Sequence, residues 1–320
     1  MIWEKVGQIF NPSRYDDGIK RPWMRFFSQC VSTLVHEDKV RVYFSCRPEN
    51  DADGMAVSNL TYLDLSRKNL QEIIKVSDGP VIPLGKLGTF DEFAVYPSCV
   101  IRYNGEVRLY YAGWTRCRSV PFNTSIGIAI STDNGNSFKR IADGPLMAPD
   151  LYEPFVVSGP KVRIFNGKWY MYYLAGSRWI ATSGKPEVIY KIRAATSIDG
   201  MRWERLNRNI ITPCLDENEC QAGPDVFLKD GIYHMYFSYR HGLDFRNSKR
   251  GYRLGYAYSR DLINWTRDDD KSGIGLSDFG WDSEMMHYPH VFTVDDKWYM
   301  FYNGNDFGRY GFGMAVLKHG

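Results

Sequence analysis

A pair of aromatic residues ends a short hydrophobic run five times along this chain of 320 residues, at intervals of 62 to 67 residues. A fixed period of this size is typical of solenoids, propellers and other repeat arrays. Five such units use up the whole sequence, so we expect a single repeat domain over residues 1–320. The pairs are Tyr43-Phe44, Tyr110-Tyr111, Tyr172-Tyr173, Tyr236-Phe237 and Phe301-Tyr302.

Each unit contains two hairpin patterns, and we label their four strands A to D in chain order. In the second unit the first hairpin is YPSCVIRY, NGE and VRLYYAGW (96–114), and the second is IGIAISTDNGNSFKRI (126–141). Asn-Gly between β-rich runs is typical of a tight turn. A Ser-x-Asp turn followed by an aromatic residue recurs at Ser131, Ser197 and Ser259, and we expect it to be structural. The pattern predicts an all-β fold, a five-bladed β-propeller with four antiparallel strands per blade.

The two ends of the chain are expected to complete one blade together. The N-terminal WEKVGQIFNP (3–12) resembles the D-strand segments FKRIADGPLMAP (138–149) and WERLNRNIITP (203–213). The fifth unit ends in GFGMAVLKHG, which supplies only a C strand. We therefore expect the N-terminal strand to become strand D of blade five, which closes the ring and removes two exposed sheet edges.

Composition and charge exclude several classes of protein. A formal net charge of +3 is too small to indicate nucleic-acid binding or attraction to an anionic membrane. No apolar run approaches the ~18 residues that span a bilayer, and the N-terminus lacks a signal-peptide pattern, so we expect a cytoplasmic protein. The six cysteines show no metal-binding spacing, which favours free thiols. We predict no cofactor and leave the oligomeric state open.

The D-to-A crossings between units are rich in acids. Strand alternation places these crossings and the B–C connections on one face, opposite the short A–B and C–D turns, and function tends to lie on irregular loops. When the aromatic pairs are aligned, Asp91, Glu153, Glu217 and Asp282 share one position. We expect at least two of them to line the central cavity. The candidate catalytic residues are Asp91, Glu153, Glu219, Asp282 and Glu284.

The B-strand ends and the crossings also carry side chains suited to a sugar, because amides and guanidinium groups bind hydroxyls and tryptophan packs on C–H faces. We therefore predict a carbohydrate or sugar-phosphate ligand. His287 and His290 are expected on opposite faces of strand A, which argues against a metal site. The candidate substrate-binding residues are Asp17, Arg25, Arg47, Trp114, Arg178, Arg240, His241, His287, Asn303 and Asn305.

The chain resembles the five-bladed glycoside hydrolases of families 43, 62, 32, 68 and 130. SRDLINW (259–265) is similar to the blade motif of families 43 and 32, and GTFDEFAVYPS with YNGEVRLYYAGW (88–114) to their second blade. WEKVGQIFNP, FDEF, SIGIAIS, GWDSEM and FYNGNDFGRYGFGMAV resemble, more closely still, uncharacterised propeller proteins of bacterial surface-polysaccharide gene clusters. A fainter resemblance extends to the propeller of plant glucosamine inositolphosphorylceramide transferases.

The resemblance implies paired carboxylates, one acting as general acid and one as base or nucleophile. The family 43 base falls at Gln29-Cys30, and the glutamate of its Glu-Gly-Pro motif falls at Ser158 and Ala222. For the family 32 nucleophile, NPSRYDD offers only Asp16 or Asp17. The catalytic set therefore does not transfer residue by residue. The resemblance to family 43 also implies that calcium can occupy the central channel.

Three functions remain open at this point. The first is a glycosidase or glycosyl-transferring enzyme of surface-polysaccharide metabolism, with Asp91 and Glu219 as the preferred pair. The second is a phosphorolytic or nucleotide-sugar-using enzyme in which Arg47, Arg178 and Arg240 bind phosphate. The third is a non-catalytic sugar-binding propeller, which the departures at Gln29, Ser158 and Ala222 favour.

Overall fold

The computed structural model describes residues 1–319, and within them five four-stranded antiparallel sheets surround a central axis. This confirms the five-bladed propeller. In chain order the strands are β1 (Ile2–Phe10), β2 (Phe26–Val35), β3 (Lys39–Arg47), β4 (Asn59–Ser66), β5 (Asn69–Val76), β6 (Ala94–Tyr103), β7 (Glu106–Arg116), β8 (Phe122–Ser131), β9 (Lys139–Arg140), β10 (Val157–Phe165), β11 (Lys168–Ile180), β12 (Glu187–Ser197), β13 (Glu204–Arg205), β14 (Cys220–Lys229), β15 (Ile232–Arg240), β16 (Arg253–Ser259), β17 (Thr266–Arg267), β18 (His287–Val294), β19 (Lys297–Asn303) and β20 (Phe312–His319).

Blades one to four each use four consecutive strands, beginning at β2, β6, β10 and β14. Helical structure in the described residues is limited to a 3-10 turn at Asp269–Lys271 and one short helix at Asn305–Gly308. None of the helices in residues 1–319 is long and apolar enough to cross a membrane. All six cysteines are unpaired, as the sequence predicts.

Blade five joins the two ends of the chain. Its strand order is β18, β19, β20 and β1, so the N-terminal strand occupies the D position as predicted. Trp3 pairs with Leu317 and Phe10 with Phe312 across the β1–β20 ladder. The indole Nε1–H of Trp3 donates to the hydroxyl of Tyr236 in blade four at 2.8 Å. The closing strand therefore also contacts the neighbouring blade.

The first aromatic residue of each pair in blades one to three connects its blade to the next one. The hydroxyls of Tyr43, Tyr110 and Tyr172 donate to the carbonyls of Gly135, Gly200 and Leu262 at 2.7, 2.9 and 3.1 Å. These acceptors lie in the Ser-x-Asp turns of the following blade, and the aromatic residue of each turn packs edge-on against the same tyrosine. The Ser-x-Asp turns are thus structural, as predicted.

Every A strand carries a β-bulge where it approaches the axis. A bulge inserts an extra residue and re-aims the side chains beside it. In four blades the bulged residue has a left-handed backbone, with φ of 57° at Cys30, 62° at Gly159, 56° at Gly223 and 51° at Tyr288. The bulged residues are among those that lie closest to the central cavity, because Cys30, Gly159, Gly223 and Tyr288 all line it.

Five aligned residues beyond the bulges form what we call the inner ring: Ser32, Ser98, Lys161, Asp225 and His290. Three of them accept backbone N–H groups from a neighbouring blade: Ser32 from Val100 at 2.9 Å, Asp225 from Val291 at 2.8 Å and His290 from Thr33 at 3.0 Å. The inner ring therefore ties the blades together at the centre.

Candidate functional site

A cavity of about 330 Å³ lies on the axis above the inner ring. Residues from the A strands of all five blades line it, together with the ends of B strands and the starts of C strands. It therefore opens toward the face of the crossings and B–C connections, which is the face predicted to carry function.

Aromatic rings form much of the wall. Tyr96 stacks on Trp114 with ring centroids 4.7 Å apart, and Trp114 stacks on Phe122 at 5.7 Å. Such flat apolar surfaces beside a few polar groups are typical of small-ligand pockets. Tyr190, Phe245, Tyr252, Tyr288, Phe27 and Phe307 complete the aromatic lining.

Three of the lining aromatics have a left-handed backbone, with φ of 65° at Phe27, 51° at Tyr288 and 58° at Phe307. Bulky residues rarely adopt this conformation. Each costs on the order of 1–3 kcal/mol, and such strain concentrates at ligand sites. The surrounding fold thus holds these rings against the cavity at a cost in stability.

Arg240 is a buried cation that faces the cavity. Its guanidinium donates to the backbone carbonyls of His241 and Gly242 and to the hydroxyl of Tyr190, and it lies 3.5 Å from the ring centroid of Phe245. Its Nε has no hydrogen-bond partner. Within residues 1–319 no carboxylate lies within ion-pair distance of Arg240, so its charge is not neutralised by the protein.

Arg47, at the end of strand B in blade one, has a similar environment. It contacts Gln29 and the hydroxyl of Tyr96, and its guanidinium lies 4.3 Å from the ring centroid of Phe27 and 5.3 Å from that of Trp114. Its Nε is also buried without a partner. No described carboxylate pairs with it. A guanidinium cannot lose its proton in a protein, so the cavity holds two uncompensated positive charges.

Lys161 brings an amine to the inner end of the cavity. Its Nζ lies 3.3 Å from the carbonyl oxygen of Val31, 2.9 Å from Nδ1 of His290 and 3.9 Å from Oδ2 of Asp225. Burial lowers the pKa of Lys161 although the Asp225 carboxylate opposes this shift. The axis thus offers calcium one carboxylate beside an amine and an imidazole, whereas calcium takes six to eight oxygen ligands. No group of three or more His, Cys, Asp or Glu side chains in the described chain could hold a metal ion.

None of the described residues that line the cavity is Asp or Glu. The prediction that aligned carboxylates line the central cavity is therefore wrong. Asp91, Glu153, Glu219 and Asp282 are instead buried in ion pairs between a D-to-A crossing and strand D of the same blade. We call this arrangement a carboxylate clasp.

The clasp repeats with similar geometry. The acid–cation distances are 2.6 Å for Asp91–Arg140, 2.5 Å for Glu153–Arg205, 2.7 Å for Glu219–Arg267 and 2.7 Å for Asp282–Lys5. In three blades the second tyrosine of the aromatic pair donates to the same acid, as Tyr111 does to Asp91 at 2.8 Å. These contacts offset the cost of burying a charged carboxylate, because each acid is both ion-paired and hydrogen-bonded.

Glu219 shows the electrostatics of the clasp. Burial acts to raise the pKa of its carboxyl, but the Gln221 side chain, the Cys214 backbone N–H and Arg267 together hold that pKa below its ordinary value. A general acid would need the opposite shift. Glu217, which shares the aligned position, lies at the surface and pairs with Arg178 at 2.9 Å. Glu284 is also exposed, away from the cavity lining.

Three of the ten predicted substrate-binding residues line the cavity: Arg47, Trp114 and Arg240. Asp17 forms an ion pair with Arg21. Arg25 is exposed and pairs with Glu49, and the half-exposed Arg178 pairs with Glu217. His241 lies 3.6 Å from Asp216. Asn303 binds the backbone of Ser28 and Gly311, and Asn305 accepts from the N–H groups of Glu284 and Met285. These six residues and His287 are outside the lining.

His287 is buried behind the cavity wall. Its ring stacks on Tyr288 at 4.5 Å and lies 5.2 Å from Tyr252, and neither ring nitrogen has a hydrogen-bond partner. Burial lowers its pKa to about 3.

Sequence reasoning missed most of the aromatic lining and Lys161. An alignment of the A strands would have found part of it, because Tyr96-Pro97, Gly159-Pro160, Gly223-Pro224 and Tyr288-Pro289 mark the bulge at the axis. Phe27 lies at the start of β2, Phe245 in an irregular connection and Phe307 in the short helix Asn305–Gly308. No repeat pattern pointed to them.

Comparison with known proteins finds relatives in sequence and in fold. No protein-family model matches the chain. Two Mycobacterium tuberculosis proteins, the uncharacterized proteins MT1551 of strain CDC 1551 and Rv1502 of strain H37Rv, are each 33% identical to it over 320 residues, which is 100% of both chains.

Among solved structures, one described as a glycoside hydrolase superimposes with a TM-score of 0.75 and 16% identity, over 99% of this chain and 92% of that chain. A putative glycosidase from Bacteroides thetaiotaomicron superimposes with a TM-score of 0.72 and 15% identity, over 98% of this chain and 96% of that chain. A third structure belongs to the GH130 family of mannoside phosphorylases, which contains glycoside hydrolases that target β-1,2 mannosidic linkages in Candida mannan. It superimposes with a TM-score of 0.71 and 17% identity, over 99% of this chain and 93% of that chain. At these identities the likeness shows a glycoside-hydrolase-like propeller fold.

Proposed function

The chain belongs to the same family as the uncharacterized mycobacterial proteins MT1551 and Rv1502, and from this premise we propose that its central cavity binds a saccharide carrying a negative charge, such as a sugar phosphate. The observation that carries the proposal is Arg240, a cation with 4% exposure that faces the cavity and has no carboxylate partner among the described residues. An unpaired buried charge costs several kcal/mol. An anionic ligand would offset that cost.

Arg47 and Lys161 support the same ligand charge. Both line the cavity. The guanidinium groups of Arg47 and Arg240 present fork-shaped donors that suit phosphate oxygens. The stacked rings of Tyr96, Trp114 and Phe122 supply the flat apolar surface on which a sugar ring would pack. The cavity of about 330 Å³ is of the size that holds a small ligand.

Hydrolysis by a carboxylate pair has weaker support. General acid–base catalysis needs its groups within hydrogen-bond reach of the scissile bond. Asp91 and Glu219 are instead held in clasps with Arg140 and Arg267. A phosphorolytic or nucleotide-sugar-using enzyme is the second candidate, since the uncompensated Arg47 and Arg240 suit phosphate chemistry.

Isothermal titration calorimetry with hexose 1-phosphates, inorganic phosphate and the matching neutral hexoses tests the proposal. We expect the phosphates to bind and Arg240→Met to weaken Kd by about 10- to 100-fold, since a hydrogen bond to a charged group contributes about 1.5–3 kcal/mol. Arg178→Met is the matched control, because Arg178 is half-exposed and already paired with Glu217.

Two outcomes would contradict the proposal. One is equal binding of phosphates and neutral hexoses with no effect of Arg240→Met. The other is glycosidase activity that Asp91→Asn with Glu219→Gln abolishes without lowering the melting temperature, which would restore the paired-carboxylate mechanism.

A further inference from the structure

A second cavity of about 560 Å³, which we call the outer groove, adjoins the central cavity at the mouth of the propeller. The two share five lining residues: Phe27, Arg47, Trp114, Phe122 and Arg246. A ligand in the central cavity can therefore continue into the groove without leaving the protein surface.

The outer groove is strongly cationic. Five basic side chains line it, whereas Glu49 is the single acid among its described lining residues. The protein as a whole has a net charge of only +3, so this excess is local. The basic residues are Arg47, Arg116, Lys185, Arg246 and Arg309.

Three of these five cations have no carboxylate partner among the described residues. Arg116 pairs with Asp51, and Arg246 with Glu187 at 2.8 Å. Arg47, Lys185 and Arg309, by contrast, lie within ion-pair distance of no described carboxylate. The guanidinium of Arg309 lies 4.2 Å from the ring centroid of Phe26, which leaves its N–H groups free to bind an anion.

The charges continue from the groove into the central cavity. Phe245 is flanked by two guanidinium groups, that of Arg246 at 4.5 Å and that of Arg240 at 3.5 Å from its ring centroid. Arg246 lines both spaces and Arg240 lines the central one. The junction can therefore bind two successive phosphates, one beside Arg240 and the next beside Arg47 and Arg246.

Flat rings in the groove suit a planar group beyond the phosphates. Trp114, Phe93 and Phe26 are among its lining residues, and Arg116 stacks on Phe93 at 3.9 Å. Aromatic rings and guanidinium planes next to a cationic track are what nucleobases stack on in other proteins. A single hexose phosphate would leave this surface unused.

We infer that the ligand is a nucleoside diphosphate sugar, with the sugar in the central cavity, the diphosphate at the junction and the nucleoside in the outer groove. This inference rests on the proposed binding of an anionic saccharide in the central cavity. A sugar linked through diphosphate to a lipid shares the diphosphate chemistry, and the experiment separates the two sources.

The test compares binding of a hexose 1-phosphate, uridine and guanosine diphosphates, their hexose conjugates, and farnesyl diphosphate, by calorimetry on the full chain. Three variants are measured: Arg309→Gln in the groove, Arg240→Met in the central cavity, and Arg208→Gln as a control. Arg208 binds the Ile263 carbonyl and Asn264 near the Ser-x-Asp turn of blade four, on the opposite face. Melting temperatures check that each variant is folded.

We expect at least one nucleoside diphosphate sugar to bind at least about 10-fold more tightly than the hexose 1-phosphate. Arg309→Gln should weaken the nucleotide sugar about 10-fold and leave the hexose 1-phosphate within twofold. Arg240→Met should weaken both, and Arg208→Gln neither.

The other outcomes separate the inference from the proposed function. If the hexose 1-phosphate binds in an Arg240-dependent way and nucleotides add nothing, the inference is overturned and the proposed function stands. If farnesyl diphosphate binds more tightly than every nucleotide, the nucleoside assignment is overturned. If nucleoside diphosphates bind without a sugar contribution and without Arg240, the proposed function itself is wrong.

Discussion

The hydrogen bonds of His290 determine what Lys161 can do at the end of the cavity. The Thr33 N–H donates to Nε2 at 3.0 Å, so Nε2 is an acceptor and the hydrogen of the neutral imidazole lies on Nδ1. Nδ1 can then donate to Asp225 Oδ2 at 2.9 Å. It cannot also accept a hydrogen from Lys161, 2.9 Å away. The Lys161 amine therefore keeps the Val31 carbonyl as hydrogen-bond acceptor and the Asp225 carboxylate as a charge partner at 3.9 Å, and it has a hydrogen to donate to a ligand.

His287 makes stability depend on pH. Its pKa is about 3 in the folded protein, because burial disfavours the charged ring, and about 6.5 when unfolded. The unfolded state binds more protons between these values, so stability is full above pH 6.5 and falls as the pH drops toward 3. We expect a loss of about 2 kcal/mol from this residue at pH 5.

Urea unfolding at pH 7.5 and pH 5 measures this effect. His287→Phe removes the ionisable group while keeping a ring against Tyr288. Between pH 7.5 and pH 5 the free energy of unfolding of this variant should therefore fall by about 2 kcal/mol less than that of the wild type. An equal pH dependence in the two proteins would show that His287 is protonated without cost.

At the scale of strands and crossings, the sequence alignment found the right positions for the acids but the wrong partners. Asp91, Glu153 and Asp282 do occupy equivalent places, which the 20-residue spacing to Tyr111, Tyr173 and Tyr302 reflects. The missing signal was a basic residue two places after the D-strand aromatic. It recurs as Lys5, Arg140, Arg205 and Arg267.

This explains why the fold was predictable and most of the site was not. The blades follow a repeated pattern of apolar runs and turns, which one sequence displays five times. The cavity depends on bulges and on connections that differ from blade to blade, and the pairing of an acid with a distant cation is invisible before the strands are placed. Arg47, Trp114 and Arg240 were found because they lie at or near the ends of regular B strands.

The clasps should contribute to stability rather than to catalysis. Arg140→Met leaves Asp91, with 0% exposure, without the one cation that pairs with it among the described residues, and we expect a loss of about 3–5 kcal/mol in the free energy of unfolding. Lys86→Met is the control, because it breaks the exposed 2.7 Å pair with Asp143 and should cost no more than about 1 kcal/mol. Chemical denaturation measures both.

Ligand affinity, measured on the same two variants, gives the result that would contradict a purely structural role for the clasp. If Arg140→Met keeps its stability but loses affinity for the ligand, the clasp interpretation fails and Asp91 belongs to the functional site.

At the scale of the whole molecule, the propeller depends on contacts made around its full circumference. Tyrosine hydroxyls join successive blades, the inner ring joins them at the axis, and β1 joins the last blade to both its own sheet and Tyr236. Because the cavity is lined by all five blades, its shape requires the closed ring.

Removal of residues 1–10 should therefore unfold the protein. The deletion exposes the edge of β20, removes the buried Trp3 and Phe10 and leaves Asp282 without Lys5. We expect the cooperative melting transition to disappear in circular dichroism. Glu4→Ala, which breaks only the exposed 3.0 Å pair with Lys318, should melt like the wild type. A truncated chain with an unchanged melting temperature would contradict the closure.

The pairing of β1 with β20 also sets an order of events during protein synthesis. Among the described strands β1 leaves the ribosome first and its partner β20 last. Blades one to four are each built from consecutive strands, so they can assemble while Trp3 and Phe10 still lack their strand partners. Contacts so distant in sequence form slowly, and an open sheet edge invites aggregation meanwhile. The cavity can therefore appear only after the last strand has been made, and chaperone demand should be greatest in that interval.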